Sequence, residues 1–435
     1  MTRIELRSSV TVGLAAAACF FILLVAAVGA QAQTFQVLHT FTGAQDGANP
    51  YTGLVLDRSG NFYGTTKFGG NHGFGAVFKL SQRGIFSPLH DFSGSEGMSP
   101  IGLTVGPDGN LYGTTEFGGA GGSCGGTGCG AVFEVRPPPT ACGSFLCSWS
   151  VTVLHRFTGG ADGGRPYSGV IFDSAGNLYG TASQGGQLTG ACAGTGCGVV
   201  YELTPSGGTW TQTVIYTFSG RSDGSSPFAG LVFDATGNLY GTTGYGGTQS
   251  DGTVFELTPS GSGWTKNTLY DFQGGSDGLY PHAALILDHS GNLYGTTLDG
   301  GDSSCFGGCG TIFQLSPSGG NWVHTVLYTF TGTGGDAYPY ASLFMDAAGN
   351  LYGTTVGGAD TPPYGNVYQL TPSNGGWTYS SLHDFTDGAD GAHSYSTVIM
   401  DANGNLFGTA SDGGSTDCAS GDDSGTCGVV WEITP

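Results

Sequence analysis

The chain has 435 residues and a formal net charge of −21, from 11 Lys and Arg against 32 Asp and Glu, and 84 of its residues are glycine. So few cations leave no electrostatic footprint for phosphate backbones or anionic membrane surfaces, which argues against nucleic acid and lipid as partners. Abundant glycine without a Gly-X-Y period, together with plentiful aromatics, points to tight turns between short strands and not to disorder.

At the N-terminus, Arg3 and Arg7 precede an apolar run from Val10 to Val28, and Ala30-Gln31-Ala32 follows with a small-x-small cleavage pattern. Residues 1–32 are expected to be a signal peptide. An uncleaved anchor is the competing reading, since the run is nearly long enough to span a bilayer. A mature chain, 33–435, is expected in the periplasm or the medium, as a monomer without stable membrane insertion. The acidity fits solubility of such a secreted protein.

The stretch GNLYGTT stands at Gly109–Thr115 and returns at Gly237–Thr243, Gly291–Thr297 and Gly349–Thr355, with near-copies at Gly60–Thr66, Gly176–Ala182 and Gly404–Ala410. It marks seven units of one architecture, at about 42–92, 93–157, 158–218, 219–272, 273–330, 331–385 and 386–435 plus 34–41. In the unit Phe218–Phe272, FAGLVFD is a short apolar strand and DATGN is a turn closed by Asp and Gly. NLYGTT, GTVFELT and WTKNTLYDF supply three more strands, with glycine-rich or polar turns between them. Four short antiparallel strands per unit describe a propeller blade. The last unit stops at its third strand, GVVWEITP, whereas the mature N-terminus opens with FQVLHTF, which matches fourth strands such as VTVLHRF. The sequence therefore predicts an all-β, seven-bladed β-propeller of four-stranded antiparallel blades. The N-terminal strand would complete the last blade and remove two exposed edges.

The GNLYGTT core, the Gly-Gly after it, the G-x-V-F-E-L strand and the F-x-G-x-x-D-G-x-x-P segment together resemble the GloVer tandem repeat of bacterial choice-of-anchor exported proteins. The resemblance covers nearly the whole mature chain. It implies an exported or cell-surface repeat protein whose biochemical role is undefined at family level. Members often carry a C-terminal anchoring segment, and none is visible before Pro435, so release is expected over tethering.

Apart from Cys19, the cysteines form five close pairs: Cys124 with Cys129, Cys142 with Cys147, Cys192 with Cys197, Cys305 with Cys309 and Cys418 with Cys427. Their varied, glycine-filled spacings suit loop-local disulfides of an oxidising compartment better than zinc. One acid per unit, Asp46, Glu96, Asp162, Asp223, Asp277, Asp336 and Asp390, is placed on the loop face. These acids invite a Ca2+ site or a cationic ligand, but calcium needs several oxygens converging on one point, and capping of each local turn is the preferred reading. A second Ca2+ candidate is Asp417, Asp422 and Asp423. No cofactor is expected, and Ca2+ stands as the alternative.

His39, His90, His155 and His383 alternate with Tyr216, Tyr270 and Tyr328 at one repeat position, as packed amphipathic side chains do. His282 and His393 lie beside the acidic loops. No G-x-S-x-G elbow, H-E-x-x-H pattern or Cys-x-x-Cys-His is present. Tyr51, Tyr167, Phe228, Tyr280, Tyr340 and Tyr395 suit stacking on sugar rings, although they can equally be residues that simply begin the inner strands. The expected function is a non-catalytic binding or structural module of the cell exterior, taking a glycan or a protein through the loop face. The alternative is an extracellular polysaccharide lyase or glycosidase. A convergent acid–His or acid–acid pair at the channel mouth would favour that alternative.

Overall fold

The computed structural model describes residues 33–434 except Ala120, Ser123, 139–148, Ser262, 358–363, 416–417 and 419–425. The expected signal peptide lies outside the described residues, and so do Asp417, Asp422 and Asp423. The expected bridge between Cys142 and Cys147 also falls outside them, since both cysteines belong to 139–148.

Strands alternate with glycine-rich turns along the chain and gather into seven four-stranded antiparallel sheets, which we call blades one to seven in the order of the repeat units. Blade four shows the plan: Val232–Phe233 at the central channel, then Leu239–Thr243, Thr253–Ser260 and Gly263–Asp271 at the rim. Blade seven is made from both ends of the chain. Its third strand, Val429–Thr434, pairs with Thr34–Thr40, from Thr34 opposite Thr434 to Thr40 opposite Val429. The predicted closure is therefore the observed one.

Each residue of the repeated stretch has a task. In blade four the Asp234 carboxylate accepts from the N–H groups of Thr236 and Asn238, the Asn238 amide and the Tyr240 hydroxyl, which fastens the hairpin. Gly241 passes under Phe255, where an added Cβ would stand 2.6 Å from the ring. The Thr242 hydroxyl donates across the blade boundary to the carbonyls of Pro281 and Ala283. Thr243 accepts the Thr253 N–H and ends the strand pair. Thr409 makes the same cross-blade bond to Pro50, across the ring closure.

The core lies between blades. Phe218 is fully buried and meets Phe255 of the next blade edge-on at 5.2 Å, within a cluster that also holds Tyr179, Val200, Leu231 and Leu239. Phe41, Phe92, Phe157, Phe272, Phe330 and Phe385 repeat this contact around the ring. Burying one such side chain contributes about 1.5–3 kcal/mol.

A second seven-fold device sits on the loop face. Asn49, Ser99, Arg165, Ser226, Tyr280, Tyr338 and His393 all have φ between 51 and 58°. This left-handed region is unfavourable for residues with a Cβ. Each N–H donates at 2.8–2.9 Å to a carbonyl of the preceding blade, and these bonds offset the strain. Cys129, Cys197, Cys309 and Cys427 supply four of the seven carbonyls.

Candidate functional site

The seven loop acids are engaged locally. Asp46, Glu96, Asp162, Asp223, Asp277, Asp336 and Asp390 each meet the His or Tyr of the preceding rim strand at 2.6–3.4 Å. Asp46, Asp223 and Asp277 also accept the N–H of Thr42, Ser219 and Gln273. The alternation of His with Tyr at the rim thus has one reason: both present a donor to this acid while packing in the wall. Among the described residues no three His, Cys, Asp or Glu are gathered as a metal ion requires.

The inner-strand aromatics converge on the axis. Tyr167, Phe228, His282, Tyr340, Tyr395 and Tyr51 form an unbroken chain of ring contacts, with centroids 4.2–5.4 Å apart. Blade two breaks this chain with Pro100 and Ile101. The six rings and Ile101 line a channel of about 350 Å3. Tyr280, grouped with them by sequence, stands two places earlier on the left-handed loop residue, and His282 holds the ring position of blade five. Burial pushes the Tyr395 hydroxyl up to about 12, and burial raises Tyr51 and Tyr340 as well. Burial also lowers His282 to about 4, so its imidazole is neutral near neutral pH. Lys67 lies 4.8 Å from the centre of the Tyr51 ring and pairs with the buried Glu116 at 3.2 Å.

The ring is symmetric in backbone but not in chemistry. At the second position after the GTT or GTA of each repeat stand Phe68, Phe117, Gln184 and Tyr245 in blades one to four, then Asp299, Gly357 and Asp412 in blades five to seven. Gly357 stands between the two acids in this column, and among the described residues a cleft of about 1070 Å3 lies there. Tyr338, Tyr340, Tyr364 and Tyr395 line it as aromatic walls. Asp299, Asp387, Asp412 and His393 line it as polar groups, and Phe306 stands at its rim.

Asp412 is held in place by Asn49 Nδ2 at 3.2 Å and Ser411 Oγ at 2.9 Å, and pairs with His393 Nδ1 at 2.8 Å. The arrangement fixes one imidazole face and can hold a proton between ring and carboxylate. Asp299 differs: burial raises its carboxyl to about 6. Among the described residues no donor or cation meets it. Of these cleft residues, sequence reasoning had singled out Tyr340, Tyr395, Tyr51 and His393. It missed Asp299, Asp387, Asp412, Tyr338, Tyr364 and Phe306. The signal for Asp299 and Asp412 was present in the column after GTT, where blades five to seven depart from the other four.

Four disulfides join Cys124 to Cys129, Cys192 to Cys197, Cys305 to Cys309 and Cys418 to Cys427, as the spacings predicted. They fit an exported protein. Neither Cys142 nor Cys147 is among the described residues, so the bond from Cys142 to Cys147 stays an expectation of the sequence and is not one of the observed four. Among the described residues no helix is long and apolar enough to cross a membrane.

Fold and site together define a seven-bladed propeller with one asymmetric cleft on its loop face. The model of the Gloeobacter/Verrucomicrobia repeat matches residues 25–195 and 188–421, and the chain belongs to that family. No curated protein matches it in sequence. A fungal alcohol oxidase in complex with copper shares the fold at TM-score 0.55 and 14% identity, over 93% of this chain and 77% of that one. A Bacteroides uniformis protein assigned as a 6-phosphogluconolactonase aligns at TM-score 0.52 and 15% identity, over 82% and 89%. An ulvan lyase aligns at TM-score 0.50 and 14% identity, over 86% and 94%. These likenesses establish the propeller and carry no activity.

Proposed function

We propose that this protein is an exported binding module that takes a glycan in the loop-face cleft of blades five to seven. The observation that carries this reading is the cleft itself, with tyrosine walls and carboxylates converging where three blades meet. Sugar rings offer an apolar C–H face to aromatics and hydroxyls to carboxylates, so this lining suits them. The test is binding of the oxidised mature protein to a broad glycan array in calcium-containing buffer, followed by titration of the hits. Selective binding that survives chelation, and weakens about tenfold in Tyr338→Ala or Tyr364→Ala, supports the reading. A blank array rejects it and turns attention to protein partners.

A second reading, a polysaccharide-active enzyme, is favoured by one observation, the His393–Asp412 pair at 2.8 Å in the cleft. An imidazole oriented by a carboxylate is suited to proton abstraction. Release of product from a bound polysaccharide, lost in His393→Ala while binding persists, would establish it.

A further inference from the structure

Phe306 is 96% exposed. It occupies the tip of the Cys305–Cys309 loop, and that loop is not free to fold it away. The disulfide closes the loop, the Tyr338 hydroxyl donates to the Phe306 carbonyl at 3.1 Å, and the Tyr338 N–H donates to the Cys309 carbonyl at 2.9 Å. A large apolar ring held in water by a covalent staple and two hydrogen bonds is already ordered for contact, so a ligand meets it without the entropy cost of ordering a loop. The loop leans on Asp299: a Cβ added at Gly307 would stand 3.1 Å from its carboxylate. The aromatic platform and this carboxylate therefore face one ligand.

The charge of the cleft is one-sided. Among the described residues Asp299, Asp387 and Asp412 line it, no Lys or Arg does, and the one potential cation, His393, is already paired with Asp412. The Asp299 carboxylate is partly desolvated with nothing positive beside it among the described residues, which leaves a charge that a cationic ligand would stabilise. Uronate or sulfate groups would be repelled, while an ammonium group would also gain from the tyrosine faces around it.

We infer that the cleft selects a saccharide bearing protonated amines, with Phe306 stacking on a sugar ring and Asp299 and Asp387 pairing with the ammonium groups. This rests on the glycan-binding reading and narrows its ligand class. The experiment is calorimetric titration of the full oxidised protein with a glucosamine oligomer, its N-acetylated counterpart and an oligogalacturonate, at about pH 6.5, above the value of about 6 at which the Asp299 carboxyl ionises and still low enough to keep much of the amine protonated. The expected result is binding of the glucosamine oligomer at least about tenfold tighter than the N-acetylated one, with no binding of the oligogalacturonate. Phe306→Ala, at a fully exposed position, should weaken both amino-sugar ligands. Asp299→Asn should weaken the glucosamine oligomer alone. Equal or tighter binding of the N-acetylated oligomer would overturn the charge selection while leaving the glycan reading intact. Binding of none of the three, with a blank glycan array, would sink both. Binding of a lysine-rich peptide in place of every sugar would move the ligand to protein and likewise overturn the inference.

Discussion

Asp57 and Asp299 carry the same side chain in opposite surroundings. Burial pushes the Asp57 carboxyl up, but bonds from Asn61, Tyr63 and Ser59 outweigh that and hold it below its ordinary value. Asp299 has the burial without the donors and rises to about 6. The signs for stability follow. The Asp57 type, repeated at Asp234, Asp288 and Asp346, contributes stability above its unfolded value of 3.8 that is lost as pH falls through the lower folded value. Asp299 acts the other way: its contribution is fully present below 3.8 and is lost as pH rises through about 6. Asp299→Asn is therefore expected to stabilise the protein by about 1–2 kcal/mol near neutral pH, after allowance for partial exposure, and to change nothing in strong acid. Urea denaturation of both proteins across that range checks the crossover. An equal difference at every pH would mean that the gain came from something other than the charge.

At the scale of the strand, two glycines of one hairpin separate two mechanisms. Gly237 has φ +89° and open space around it, so Gly237→Ala should cost about 1 kcal/mol through backbone strain. Gly241 has ordinary φ but lies under the Phe255 ring and 2.9 Å from Leu231, and Gly241→Ala should cost about 1–3 kcal/mol through overpacking. Chemical denaturation ranks the pair, and a reversed order would refute the packing account. The turn role of Gly237 was legible from DATGN, because a hairpin turn is local. The close approach at Gly241 was legible only as a glycine in a strand; its partner ring comes from the third strand of the blade. The four observed disulfides divide in the same way. Their pairing followed from spacing, but the use of Cys129, Cys197, Cys309 and Cys427 carbonyls to hold the next blade did not. Each bridge closes a short loop. Cys305→Ser with Cys309→Ser should cost no more than about 2 kcal/mol of global stability. Proteolysis at the loop should nevertheless rise sharply, and a melting curve beside a limited digest distinguishes the two effects. For Cys142 and Cys147 the sequence spacing alone speaks, and peptide mapping of the unreduced protein should recover the two in one linked fragment.

At the scale of the whole ring, blade seven depends on both chain ends. Deleting Phe35–Phe41 removes the rim strand of that blade and the fully buried Phe41, whose loss alone is worth about 3–5 kcal/mol. It also exposes the edge of Val429–Thr434, so a lower, less cooperative melt with aggregation is expected. A truncated protein that melted like the complete one would contradict the closure. A permutant that joins Thr434 to Thr34 and opens at the exposed Gly207–Gly208 turn should keep the fold, since the ring does not require its break at blade seven.

The blade count, the strand order, the closure and the partners of the four observed disulfides were determined by the sequence alone. Each depends on a period, a short spacing or a match between two segments, and these survive without coordinates. The cleft was decided by tertiary structure. Asp299, Tyr338, Gly357, His393 and Asp412 belong to three different repeats, and each is an ordinary variation within its own copy. They become one site because ring closure turns the same backbone position of successive blades toward a common axis. The physical reason is that a repeat encodes where its side chains point relative to its own sheet, while only the packed interfaces between blades determine which of them meet.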